Sequence, residues 1–297
     1  MTLSALSQSP VEPGFVQNPY HFYERARALG PVVHWQDYGK LCAVSHSVVN
    51  AILRDRRWGR EVPPESVVPT PPHIQPFMDI EEHSMLELEP PRHTRLRGLV
   101  MRAFSTKAIQ RVDPFIAELA NSLIDGFSGD NIDLLPAFAE KIPVLTIARM
   151  LGVPSDMADQ LLDWSHRMVG MYQANRDRAI EDAAAEASGE FAAYIGGFID
   201  ERRRKPDDDL ITALIAAEED GQKLTRPELV STCILLLNAG HEATVHAIGN
   251  GVKTLLESGR DLARLVRPEA IDSTVEESLR FDPPLHMFDR YAYTDVD

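Results

Sequence analysis

Apolar positions recur at helical spacing over most of the chain, and alternate as a strand requires only near its start. Asn18 to Leu29 reads as a short helix capped by Asn18, with Pro19 at its first position and Gly30-Pro31 stopping it. Val32 to Trp35 and Leu41 to Val44 flank a polar turn containing Gly39, the pattern of a hairpin, and Ser45 to Leu53 resumes helical spacing. From Glu61 to Gln75, prolines at 63, 64, 69, 71 and 72, with Pro76 at the edge, argue against regular structure and predict a long loop.

After Pro90-Pro91 the pattern predicts helices over His93 to Ala103, Thr106 to Phe127, Pro136 to Leu151, Ser155 to Val169, Arg176 to Arg204 and Asp207 to Glu219. Turn signals such as Ser128-Gly129-Asp130, Gly152-Val153-Pro154 and Lys205-Pro206 separate them. Thr225-Arg226-Pro227-Glu228 is a capping box with proline in the first turn, and the helix it opens has no stop before Ser258-Gly259. Roughly 32 residues at the α-helical rise make ~48 Å, long enough to run through the middle of a domain. Its apolar residues lie on more than one side, as a buried central helix requires. A last helix, Pro268 to Arg280, ends at Phe281-Asp282-Pro283-Pro284, and the tail reads as extended. With no repeat and no linker, the expected architecture is one mostly α domain over residues 1–297 with a small N-terminal β element.

Charge changes the picture most: 30 basic and 45 acidic residues leave a net −15, which disfavours nucleic-acid and anionic-membrane partners. Cys42 and Cys233 are too few for a disulfide framework and lack zinc-site spacing, which suits a reducing cytoplasm. The first fifteen residues lack the basic and apolar regions of a signal peptide. The most apolar run, Cys233 to Leu237, is broken at Asn238, His241 and Glu242, well short of the ~20 residues that span a bilayer.

Three patterns carry candidate chemistry. In LLLNAGHEATVHAIG, Ala239 and Gly240 remove bulk beside His241 and Glu242, so a flat ligand could lie in the gap; a helix-packing glycine and a paired core carboxylate fit the same residues. His241 and His246 fall one residue outside the HExxH zinc motif, and a five-residue step turns ~140° around a helix, so zinc hydrolysis is disfavoured. In EPPRHTRLRGLVMRAFS, His93 and Arg97 share one helix face and could clamp a carboxylate, or belong to a solvated basic face with Arg92, Arg95 and Arg102. In VEESLRFDPP, Glu277 and Arg280 can pair within the helix, usually as surface decoration.

Taken in this order, the motifs PPRHTRLR, AGHEAT, EESLR and RYAYTDVD resemble the cytochrome P450 family of haem-thiolate monooxygenases, of the soluble bacterial type, from NPYHFYERARALGPV to the last residues. The resemblance implies that His93, Arg97 and Arg290 hold the propionates of haem b, and that Ala239 and Gly240 form the oxygen groove. It makes Glu277 and Arg280 a buried structural ion pair, and the Pro-rich stretch part of a loop that sets substrate choice. It further implies insertion of one atom of O2 into an organic substrate, with electrons from a ferredoxin or flavodoxin and its reductase.

Two departures stand out. The family usually has Thr directly after the acid of the central helix; here Ala243 stands there and Thr244 one residue later. Glu242 would then handle protons through water, Thr244 or a substrate hydroxyl. The Cys-containing haem loop should follow RYAYTDVD, where the chain ends, so no axial cysteine is assigned and both cysteines are expected as small core residues. A catalytically inactive binding or scaffold remnant is the alternative reading, and a helical regulator unrelated to haem a third.

Overall fold

In the computed structural model, which describes residues 3–104, 112–173, 176–217 and 221–296, contacts group the chain into two units. The first comprises Met1–Val67, Tyr172–Arg176 and Arg290–Asp297, the second Val68–Met171 and Asp177–Asp289.

In the first unit, β1 (Ala5–Leu6), α1 (Pro13–Gln17), α2 (Tyr20–Leu29), β2 (Val32–Trp35), β3 (Lys40–Ala43), α3 (His46–Arg54) and β4 (Trp58–Gly59) follow in order. The predicted hairpin forms with Val32 opposite Ala43 and Trp35 opposite Lys40, and β1 adds to β2 in parallel. Its turn needs the left-handed conformation that Gly39 adopts at φ +62. Alternation sends Val33 and Trp35 inward, and Trp35 packs 4.3 Å from the ring of Phe22 on α2. The tail supplies β5 (Tyr291–Ala292), antiparallel to β4. Ser45, read as the first residue of a helix, instead caps α3, and the residue preceding α2 is Pro19 rather than Asn18.

The second unit is helical: α4 (Gln75–Glu81), α5 (Arg92–Ala103), α6 (Val112–Asp125), α7 (Lys141–Leu151), α8 (Ala158–Val169), α9 (Arg178–Arg204), α10 (Leu210–Ala216), α11 (Arg226–Glu257), α12 (Leu262–Leu265) and α13 (Ile271–Phe281). The central helix covers the 32 residues predicted for it. It packs against α4, α7, α9 and α13, and α9 in turn packs along α8, where Trp164 stacks on Phe191 at 5.1 Å. Leu96, Leu99, Leu151, Leu161, Ile195 and Leu237 bring five helices into one core.

Several boundaries differ from expectation. The Pro-rich segment is not all loop: 3-10 turns form at Pro64–Ser66 and Pro72–Ile74, α4 follows, and Ile74, Phe77 and Ile80 are buried. Pro76 sits in the first turn of α4, where its missing N–H costs nothing. The helix expected from Pro136 is instead a π turn, Leu135–Ala139, followed by α7, which places Pro143 in a first turn. Residues 105–111 and 218–220 of two expected helices lie outside the described residues. Among the described residues no helix is long and apolar enough to cross a membrane.

Candidate functional site

The start of α11 is anchored twice. The Thr225 hydroxyl accepts from the Glu228 N–H, the Glu228 carboxylate accepts from the Thr225 N–H at 2.8 Å, and Arg95 of α5 donates to the same carboxylate. Burial pushes the Glu228 carboxyl up, but the hydrogen bonds from Thr225 and Arg95 outweigh it and hold it low. Every residue from Glu228 to Ile234 is buried, and the buried face continues through Leu237, His241 and Val245 at steps of four. The other face opens: Ala239 and His246 are exposed and Ala243 half-buried. A Cβ on Gly240 would stand 2.8 Å from Ile147 Cδ1 of α7.

Glu242 lies between these faces and meets three imidazoles. Its Oε1 is 3.3 Å from His166 Nε2 of α8 and 3.9 Å from His241 Nδ1, and its Oε2 is 3.5 Å from His246 Nε2. The hydrogen bond with His246 holds the Glu242 carboxyl low against the effect of burial, with His166 and His241 adding attraction, and the same contact raises His246. His241 is 1 % exposed, and burial pushes it down to about 4, so its ring is neutral near pH 7. A hydrogen bond with the Glu140 backbone works against that shift. Thr244 donates its hydroxyl proton to the Gly240 carbonyl at 2.8 Å.

On α5 the basic residues divide. Arg95 is taken by Glu228 and Arg92 donates to the Glu82 carbonyl at 2.8 Å. His93, half-buried, and Arg97, exposed, have no side-chain partner among the described residues. Arg290 is half-buried just before β5 in the first unit.

The Glu277–Arg280 pair forms with two contacts of 2.7 Å, but at 60 and 69 % exposure it is not the buried pair that was expected. A three-residue spacing closes this pair within one helix, α13 has no buried residue, and burial is therefore not needed to make it. Cys233 is a core residue whose thiol burial pushes up to about 12; Cys42, half-buried at the hairpin, is not in the core.

No family model matches the chain. A biotin biosynthesis cytochrome P450 of Bacillus subtilis (strain 168) is 32% identical, covering 98% of this chain and 74% of that protein. The chain belongs to the cytochrome P450 family. A vitamin D(3) 25-hydroxylase of Pseudonocardia autotrophica is 35% identical over 91% of the chain, which spans 66% of that relative. Among solved structures, P450BioI in complex with an acyl carrier protein ligated to hexadec-9Z-enoic acid matches with TM-score 0.88 at 32% identity, over 96% of this chain and 73% of that one.

A P450 is a haem monooxygenase, and the residues can be tested against that group. His93 and Arg97, four residues apart on α5, offer N–H donors that suit carboxylates. Ala239 and Ala243 leave an open, side-chain-poor strip on a helix otherwise buried nearby. Gly240 also takes a packing role, since a Cβ there would meet Ile147. Neither cysteine suits an axial thiolate, Cys233 being buried and protonated and Cys42 lying in the β hairpin of the first unit. His166 was not singled out in the sequence, because nothing local marks it: only the packing of α8 on α11 brings it to Glu242.

Proposed function

We propose that this P450 binds haem b through His93 and Arg97, oxidises an organic substrate with O2, and draws electrons from a ferredoxin or flavodoxin with its reductase in the cytoplasm. Both units are taken as parts of one P450-type domain, because the relatives match across nearly the whole chain. Bound haem supplies the oxygen activation and the oxidising chemistry. The chain's own part is to hold the propionates with the N–H groups of His93 and Arg97, to offer the strip at Ala239 and Ala243, and to move protons through Glu242.

The observation that carries this reading is the ionised Glu242 in the middle of a buried helix, beside a strip without side-chain hydroxyls. Ala243 has no donor, and the Thr244 proton is engaged by Gly240, so ordered water or a substrate hydroxyl links Glu242 to the reacting oxygen. The substrate of this chain is an apolar organic molecule, by analogy with the relatives named for vitamin D(3) and for an acyl chain.

The test is reconstitution with haemin, followed by desalting and absorption spectroscopy. In a chain extended with the cysteine-containing haem loop, stoichiometric retention is expected, with marked loss in Arg97→Ala; equal retention in both overturns the clamp. In that extended, haem-loaded chain, Glu242→Gln should lower product formed per electron and Ala243→Thr should raise it for substrates lacking a hydroxyl. No response to either substitution overturns the proton route.

A further inference from the structure

Beside the first turns of α11, three helices of the second unit line a cleft of about 290 Å3, at the small end of the ~300 to 1,000 Å3 common for ligand sites. Pro76 and Ile80 of α4, Ala192 of α9, and Pro227 and Val230 of α11 make its walls apolar. Val230 stands nine residues before Ala239 on α11, about 13 Å along the axis, so the cleft is separate from the open strip.

Two charged side chains, Arg226 and Asp79, face this cleft. A Cβ on Gly196 would stand 2.7 Å from Arg226 Nη2, so the guanidinium lies close against α9. There Asp200 accepts from Nη2 at 2.9 Å and from Nε at 3.4 Å, which leaves Nη1 without a partner among the described residues. Asp79 accepts from Gln75 Nε2 through Oδ1 at 2.7 Å, and its Oδ2 has no partner among them either. One guanidinium donor and one carboxylate acceptor thus stay uncommitted beside the same apolar walls.

Gly189 of α9 also lines the cleft, and a Cβ added there would meet nothing within 4 Å. Glycine inside a helix weakens it. No neighbour requires this one, and its effect is to keep the cleft open.

We propose that the cleft binds an apolar α-amino acid as its zwitterion, with the carboxylate on Arg226 Nη1, the ammonium on Asp79 Oδ2 and the side chain against Ile80, Ala192 and Val230. A simple anion would be repelled by Asp79 and a simple cation by Arg226, whereas a ligand carrying both charges on an apolar body satisfies both. Its binding ties α4 to α9 and α11.

Equilibrium dialysis of the 297-residue chain against labelled L-phenylalanine should show one saturable site per chain. Phenylacetate and phenethylamine, each keeping one of the two charges, should compete at least about tenfold more weakly, and Arg226→Gln and Asp79→Asn should each lower affinity by a similar factor. Gly189→Leu fills the cleft from an exposed helix position and should abolish binding. Gly197→Leu, on the same helix with equal room for a Cβ but outside the cleft, should leave it unchanged. No saturable binding, wild-type affinity in Gly189→Leu or in both charge variants, or equal competition by the single-charge analogues would each overturn the site. Because the dialysis needs no haem, its failure leaves the oxygenase reading intact.

Discussion

Two Arg–carboxylate pairs in the helical unit show how little chemistry alone says about consequence. Arg280 meets Glu277 in open solvent, whereas Arg202 meets Asp209 with side chains 9 and 4 % exposed. The inner pair joins three helix ends: Arg202 closes α9 and donates to the Gly152 carbonyl at 3.2 Å beyond α7, while Asp209 caps α10 through the Thr212 N–H at 2.8 Å. Gly152 sits at φ +77, and a Cβ there would come within 2.3 Å of Asp209 Oδ2. The outer pair joins one helix turn to itself. Spacing shows that two charges can meet, but the surrounding packing decides whether separating them matters.

The contrast is sharpest at Asp209. Asp209→Ala strands the buried Arg202 guanidinium and removes a helix cap, so a loss of about 3 to 5 kcal/mol is expected from urea denaturation. A loss as small as that of an ordinary surface substitution would break the comparison. Gly152→Ala should cost at least about 1 to 2 kcal/mol from backbone strain alone, with the displaced Asp209 adding to it.

The Arg95–Glu228 pair is intermediate, with side chains 30 and 11 % exposed. Glu228 is held below its ordinary value of 4.5, so the folded chain binds fewer protons there than the unfolded chain does. Its contribution is therefore complete above about pH 4.5 and is lost as the pH falls through the folded value. Denaturation midpoints measured down the acid limb should fall less steeply in Glu228→Gln; parallel limbs would show that the pair has no such role. Glu277→Ala should have the smallest effect, with no measurable shift of the midpoint; a collapse in soluble yield would put the pair back among the structural ones.

The same distinction explains what the sequence made legible. The capping box and the unbroken apolar pattern located α11 to the residue, and proline with glycine located the hairpin and the starts of α2 and α5, while α1, α4 and α12 went unread. Local rules act within a few residues, which is why they succeeded there. They misjudged the Pro-rich stretch, because Ile74, Phe77 and Ile80 are held by a core assembled from distant helices. Of the site, Glu242, His93 and Arg97 were visible as motif residues. His166 and the close seat of Ile147 on Gly240 were not, since each depends on which helix lies alongside.

His241 has a further consequence in selection experiments. A desolvated imidazole in a core position is a standing burden, and an aliphatic side chain of similar volume would remove it. In a display library randomised at position 241 and sorted only for resistance to protease, Leu or Met should displace His, so that enrichment at one codon reports what the buried ring costs the fold.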